Sequence, residues 1–190
     1  MSMVLEHINF AAAAGRISAL YSEEDDALLL AMLGQEYTVR HSGITLRGHK
    51  APENHERIII DYVSSAGTVF VPLPWKSLQE ASGRAMPNFR ERVELILAQH
   101  SADCIQRAST ILPLLDAQAC RSMIGSDLAF TVSALPKVHV HVELSRESQE
   151  FPPEAWILFS HNAAEFLSAE GLFLLGEVFK DRLLSLLRIY

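Results

Sequence analysis

The chain has 190 residues, of which 49% are hydrophobic, and its 23 acidic and 16 basic side chains give a net charge of −7. This length and composition predict a single globular domain, residues 1–190, with a core that needs no disulfide or metal cross-link. The acidic balance and the lack of a basic stripe argue against phosphate-backbone binding, so nucleic acid is not expected as a partner.

The cysteines and the apolar runs bear on the compartment. Cys104 and Cys120 lack the C-x-x-C spacing of zinc, redox or iron–sulfur sites. Each is interpreted as a small buried hydrophobic residue. No apolar run approaches the roughly 18 residues that a membrane span needs, and the N-terminal stretch lacks the basic start of a secretory signal. The sequence therefore predicts a soluble cytoplasmic protein without membrane association.

The first part of the chain is predicted to be mainly helical. One helix is expected from about Leu5 to Leu20. A second is expected in SEEDDALLLAMLG, where Ser22 can cap the first turn and Gly34 can end the last. YTVRHSGITLR then changes period and predicts a hairpin that turns at Ser42-Gly43. PENHERIIIDYVSSAG predicts a further helix, because it opens with proline and closes with glycine.

The two prolines of VFVPLPWKSL forbid a helix and disfavour a central strand. Helical spacing then predicts a helix that runs to about His100, a second over Cys104 to Leu112 and a third over Asp116 to Ile124. After Gly125 the runs LAFTVS, KVHVHVEL and AWILFS are strand-like. Their connections are too short for helical crossovers, so they predict an antiparallel meander.

A long helix is expected from about Ala169 to Leu187, with its apolar residues on one face. Together these elements predict an α+β fold. It would comprise a helical N-terminal part, an antiparallel sheet of about five strands that includes the C-terminal meander, and the closing C-terminal helix over one face of the sheet.

An ordered series of short stretches resembles a known family. The stretches are LGQEYTV, IIIDYVSSAG, VPLPWKSL, IGSD, LPKVHVHVEL and EFPPEAWILFSHNAAEFLSAEGLFLLG. From about Leu33 to Leu187 the chain is similar to the domain of unknown function 3786 family of anaerobic bacteria and archaea. That family has no established activity, but some similar proteins carry an iron–sulfur domain or are described as corrinoid/iron–sulfur proteins.

The resemblance implies a corrinoid or other tetrapyrrole cofactor, or a corrinoid or iron–sulfur protein as partner, in anaerobic metabolism. No iron–sulfur cluster is expected here, because the chain lacks the cluster domain and its cysteines. The family usually has Asp where this chain has Ser160, and commonly has Asp near Gly171. Its strand after the LPK motif is usually apolar, so His139 and His141 look particular to this chain.

The first candidate site lies in that strand. His139, His141 and Glu143 alternate, which puts their side chains on one face about 6.5–7 Å apart. Such a set can bind zinc or iron, with His161 as a further ligand. The structural interpretation is that Val138 and the apolar residues alternating with it need the other face, which leaves the histidines on the wetter side. The alternation favours this second interpretation.

The second candidate site comprises Trp75, Asp127 and Lys137, which lie in the family-like motifs. An aromatic floor with a few polar groups would suit a planar cofactor in a ligand cleft. The structural alternative makes Asp127 a turn residue that pairs with Lys137 across the hairpin.

No G-x-S-x-G, G-x-G-x-x-G or P-loop motif is present, which removes support for the common hydrolase, dehydrogenase and kinase classes. The leading hypothesis is a non-catalytic accessory domain that binds a cofactor or a partner protein. The alternatives are a small metal-dependent enzyme built on His139, His141 and Glu143, and a structural homodimer formed through the closing helix.

Overall fold

The computed structural model describes residues 5–189, the side chain of Ile189 excepted. The helices that lie entirely within this part of the chain are α1 Phe10–Ile17, α2 Glu53–Ser64, α3 Leu78–Ser82, α4 Leu95–Gln99, α5 Ser101–Gln106, α6 Ala108–Ile111 and α7 Ala169–Ile189. A π-helical turn, Arg90–Glu94, runs into α4, and 3-10 turns cover Pro113–Leu115 and Ala163–Glu165.

The strands form two antiparallel sheets. The first sheet, in the order β1-β2-β3-β4-β5, contains β1 Leu20–Ser22, β2 Ala27–Met32, β3 Gln35–Arg40, β4 Gly43–Leu46 and β5 His49–Lys50. The second, in the order β6-β7-β8-β9, contains β6 Ala117–Ala119, β7 Leu128–Leu135, β8 Val138–Ser145 and β9 Glu154–Phe159. The α+β class, the C-terminal meander and the closing helix are confirmed, whereas the single sheet is replaced by two.

The prediction of a helical N-terminal part is wrong for SEEDDALLLAMLG, which forms β1, a tight turn and β2. The strands pair with Tyr21 opposite Leu28. Asp26 lies in the turn with a positive φ of 44° and accepts a hydrogen bond from the Tyr21 hydroxyl at 3.0 Å. A short apolar run after acidic residues fits a buried strand as well as a helix, and pairing with β3 decides between them.

Two other predicted helices also differ. The stretch from Asp116 to Ile124 is not helical, because Ala117–Ala119 pairs with β7 as the edge strand of the second sheet. The predicted helix from Cys104 to Leu112 is divided at Arg107 into α5 and α6. The β3–β4 hairpin is confirmed, with Arg40 opposite Gly43, so its turn lies one residue earlier than expected.

The second sheet has its apolar face against the helices. The four apolar residues of β8 on this face are fully buried, and the Phe130 ring of β7 lies 6.4 Å from the Phe179 ring of α7. β8 is central, since it pairs with β7 on one side and β9 on the other. The opposite face of β8 carries the polar side chains. Among residues 5–189, no helix is both long and apolar enough to cross a membrane.

The two sheets meet at the turn that joins β2 and β3. The Leu33 amide donates a hydrogen bond to the Ala134 carbonyl of β7 at 3.1 Å. Gly34 follows with a φ of 70°, and a Cβ on it would overlap the Leu114 carbonyl oxygen. Close backbone approach and the left-handed conformation thus both require glycine at this junction.

We expect Gly34→Ala to destabilise the fold by at least about 2 kcal/mol more than Gly48→Ala, because overlap with buried backbone adds to conformational strain. Gly48 is the matched control: its φ of 79° imposes similar strain, but nothing lies within 4 Å of an added Cβ. Denaturant unfolding of the two variants measures the difference. Equal losses of stability would contradict the close approach at the sheet junction.

Candidate functional site

The polar face of β8 is covered, so the predicted wet face is wrong. His141 is 2% exposed and Glu143 is 1% exposed, and His139 is half-buried. Side chains from two segments that precede the strand in the chain lie over them. Alternation along β8 correctly indicates a buried apolar face, but it carries no information about what covers the other face.

Two aromatic rings cover the histidines. The Phe70 and His139 ring centroids are 4.4 Å apart, and burial lowers the pKa of His139. Trp75 stacks on His141, with centroids 5.2 Å apart and ring planes at 24°. The covering segment is fixed to β9, because Lys76 exchanges two backbone hydrogen bonds with Phe159, at 2.9 Å and 2.7 Å.

Glu143 organises the loop that follows β6. Its carboxylate accepts hydrogen bonds from the Ser122 hydroxyl at 2.6 Å, the Met123 amide at 2.7 Å and the Ser126 hydroxyl. Burial alone would raise the pKa of Glu143, but these hydrogen bonds and one from His141 outweigh it and lower the pKa to about 2. Glu143 is therefore a buried anion at neutral pH.

His141 connects this anion to a thiol. Its Nε2 lies 3.0 Å from Glu143 Oε1, and because an ionised carboxylate only accepts, Nε2 donates. In a neutral ring Nδ1 is then the basic nitrogen, and it lies 3.7 Å from Cys120 Sγ. Cys120 is exposed, and its Sγ is also 3.8 Å from the Thr131 hydroxyl. The thiol, the imidazole and the carboxylate are thus arranged as a nucleophile, a base and a group that orients the base.

Adjacent strands bring the three side chains together. Cys120 follows β6 directly, and its amide donates a hydrogen bond to the Ala129 carbonyl of β7 at 2.9 Å. In β7, Ala129 is opposite Glu143 and Thr131 is opposite His141. The thiol thus reaches His141 across β7, on the outer face of the second sheet.

The interpretation of Cys120 as a buried hydrophobic residue is wrong, whereas that of Cys104 is confirmed. Cys104 is 0% exposed, and burial raises the pKa of its thiol to about 12. No local pattern marks Cys120, since its partner His141 is 21 residues away and the contact depends on β6, which the sequence predicts as helix.

Residues 5–189 contain no group of three or more His, Cys, Asp or Glu side chains arranged to hold a metal ion. The two ring nitrogens of His141 face Glu143 and Cys120, while His139 packs against Phe70. His161 follows β9, and its buried Nδ1 makes no hydrogen bond within the described part of the chain. A metal on these residues stays a prediction.

The structure does not bring Asp127 and Lys137 together. They stand at opposite ends of β7, whose eight residues span about 26 Å. Asp127 accepts a hydrogen bond from the Arg146 amide at 2.8 Å, and Lys137 Nζ donates to the Arg16 carbonyl at 2.7 Å. The expected pairing across the hairpin is therefore wrong. Trp75 belongs instead to the cover of His141.

At Ser160 and Gly171, where the family usually or commonly has Asp, the structure shows what each residue contacts. Ser160 is fully buried, and its hydroxyl accepts a hydrogen bond from the His139 amide at 3.3 Å. At Gly171 an added Cβ would overlap the Asp61 carboxylate, which accepts hydrogen bonds from the amide and hydroxyl of Ser168 at 2.8 Å and 2.7 Å. A carboxylate from α2 therefore fills the space beside Gly171.

The fold and this face define an α+β protein with a thiol–imidazole–carboxylate group on one antiparallel sheet. A family model described as "Domain of unknown function (DUF3786)" matches residues 9–182, and the chain belongs to this family. The predicted family is thereby confirmed, while its link to corrinoid and iron–sulfur proteins stays a prediction. No curated protein and no solved structure matches the chain.

We expect Glu143→Gln to lower the free energy of unfolding at pH 7 by on the order of 2 kcal/mol, because an amide cannot replace all the hydrogen bonds that the anion accepts. The folded-state pKa of about 2 lies below the ordinary 4.5. The stabilisation by Glu143 is therefore complete above about pH 4.5 and is lost as the pH falls towards 2.

Denaturant unfolding between pH 7 and pH 2.5 tests this expectation. The variant should lose less stability than the wild-type protein over the acidic part of the range. Glu147→Gln is the control, because it removes an exposed carboxylate just past the same strand. If Glu143→Gln and Glu147→Gln follow the same pH profile, Glu143 is not the anionic centre of the loop.

Proposed function

We propose that the protein is an enzyme that transfers or hydrolyses acyl groups through an intermediate on Cys120. The observation that supports this proposal is the position of His141, with Nδ1 3.7 Å from the Cys120 sulfur and Nε2 3.0 Å from Glu143. The substrate class is a carboxylic acid derivative, such as an ester, thioester or amide, whose carbonyl carbon accepts the thiol.

Glu143 and Trp75 would act through His141. The anionic carboxylate keeps a proton on Nε2, so that Nδ1 faces the thiol as a base. The stacked indole holds the plane of the ring and shields it from water, which strengthens the contact between His141 and Glu143. Cys120 itself stays exposed, as access by a substrate requires.

The reaction would proceed in two balanced halves. His141 Nδ1 takes the thiol proton while Sγ forms a bond to the carbonyl carbon, and the leaving group departs with that proton as its bond breaks. An acyl-Cys120 thioester remains. Water or an acceptor then attacks the thioester carbon and gives its proton to His141. The C–S bond breaks, the acyl product leaves, and Sγ regains a proton from His141.

The two amides that directly follow Cys120 would be the donors for the negative charge that develops on the carbonyl oxygen. Within the described part of the chain, neither the Arg121 amide nor the Ser122 amide donates a hydrogen bond. The loop is anchored at Ser122, whose hydroxyl accepts hydrogen bonds from the Gly125 and Ser126 amides, both at 2.8 Å. Fixed amide donors of this kind stabilise an oxyanion.

With p-nitrophenyl acetate we expect a burst of one nitrophenolate per chain, and a mass increase of one acetyl group on the peptide that contains Cys120. Cys120→Ala should abolish both. His141→Gln should slow acylation by roughly 10²-fold or more, because it removes the base. Glu143→Gln should slow it less, since the imidazole remains.

Two matched variants make this test decisive. Cys104→Ala should keep the full burst, because that thiol is buried and its pKa is raised. His139→Gln should also react nearly normally, since this histidine shares the strand face but packs on Phe70. Acetylation at any other residue, or an acylation rate unchanged in His141→Gln, would end the proposal. Circular dichroism of each variant separates loss of chemistry from loss of fold.

The cofactor- or partner-binding role in corrinoid, tetrapyrrole or iron–sulfur metabolism is the second proposal. Its support is the resemblance to similar proteins described as corrinoid/iron–sulfur proteins, since the matching family model is itself of unknown function. It predicts a change in the visible absorption bands when the protein is titrated anaerobically with cobalamin or with haem. A titration of buffer without protein serves as the blank. The Trp75→Leu variant tests whether the segment that covers the histidines takes part in binding. Flat titrations with both compounds would remove this class of ligand.

A further inference from the structure

A cavity of about 430 Å³ lies between the β3–β4 hairpin and α2, at the first sheet rather than the second. It is independent of the Cys120 site, since it shares none of the residues described there. Its lining combines apolar side chains with three charged ones, which are Arg40, Lys50 and Glu56. Such a mixture of apolar walls and a few polar groups is typical of small-molecule sites.

Glu56, in the first turn of α2, is the most buried of the three charged residues and therefore defines the floor of the cavity. The residue is 5% exposed, and its carboxylate accepts no hydrogen bond from the part of the chain that the structure describes. Lys50 Nζ lies 4.0 Å from Oε2, which is longer than a hydrogen-bonded ion pair, and 82% of the Lys50 side chain is exposed. A cation bound in the cavity would give this carboxylate the close ion-pair partner that Lys50 does not supply.

The two cations stand at the mouth. Arg40 is opposite Gly43 and Lys50 is opposite Thr45, so they flank β4 from its two neighbouring strands. The Arg40 guanidinium makes a 3.4 Å contact with Asp25, and both of these side chains are substantially exposed. The cavity is therefore polarised, with negative charge buried at its floor and positive charge exposed at its rim.

We infer that this cavity binds a small zwitterion, such as an α-amino acid, with its ammonium group on Glu56 and its carboxylate towards Arg40 and Lys50. The hydrocarbon part would lie against Ile44 and Ile60, which line the same cavity. A simple cation would meet two like charges at the rim, and a simple anion would meet Glu56 at the floor. A zwitterion in this orientation satisfies both ends, and its ammonium can approach Glu56 more closely than Lys50 does.

The test begins with the twenty standard amino acids, each at 5 mM, in ligand-observed NMR with the full chain. For the best binder, calorimetry then compares the amino acid with two analogues, one without the amino group and one without the carboxyl group. We expect the zwitterion to bind at least roughly tenfold more tightly than either analogue, because each lacks one charge-assisted contact.

Variants assign the binding to the cavity. Glu56→Gln should lower the affinity for the zwitterion by roughly tenfold or more. It should leave the affinity for the deaminated analogue unchanged or increased. Lys50→Met and Arg40→Met should have smaller effects, since both side chains are exposed. Glu53→Gln, an exposed glutamate on the same helix, is the matched control and should bind normally.

Three outcomes would overturn the inference: no binding by any of the twenty amino acids, equal binding by a singly charged analogue, or full binding by Glu56→Gln. Thermal unfolding of Glu56→Gln without ligand guards against a folding defect. Acylation at Cys120 is measured separately and concerns the other sheet. A negative binding result therefore leaves the acyl-transfer proposal intact, and absence of acylation leaves the amino-acid site intact.

Discussion

The buried Glu143 carboxylate is the interaction on which the outer face of the second sheet depends. One anion aligns the loop after β6 through the side chains and amide that donate to it, and it orients the imidazole of His141. Without the anion, the loop after Cys120 would lose its anchor, and nothing would hold the ring proton of His141 on Nε2. A single ionised group thus ties together loop, base and thiol, and its low pKa reflects all these contacts at once.

Regular periodicity made part of this fold predictable. The alternation of β8 and the spacing of α7 each have one physical interpretation, because a period of two or of 3.6 buries one face. The acidic run before Ala27 fails as a guide, since the same residues can cap a helix or form the turn between β1 and β2. The competing outcomes differ only in tertiary pairing, which no local stretch of sequence encodes.

The candidate site was half visible in the sequence. His141 and Glu143 stand out because polar residues alternate with valines, but their burial depends on Trp75 and on the loop after β6, which lie far away in the chain. Cys120 could not be assigned, because its distance from His141 follows from the register of three strands. The strand pattern shows which side chains share a face, whereas the chemistry of that face depends on which residues from distant parts of the chain cover it.

The bridge between Lys76 and Phe159 has a consequence beyond the cover of His141. β9 is one of the two edge strands of the second sheet, and an open strand edge invites pairing with another chain. The bridge occupies the end of that edge, while Pro72 and Pro74 just before it lack the amide hydrogens needed to prolong a ladder. The segment that shields the imidazole therefore also blocks this end of the β9 edge against pairing with another chain.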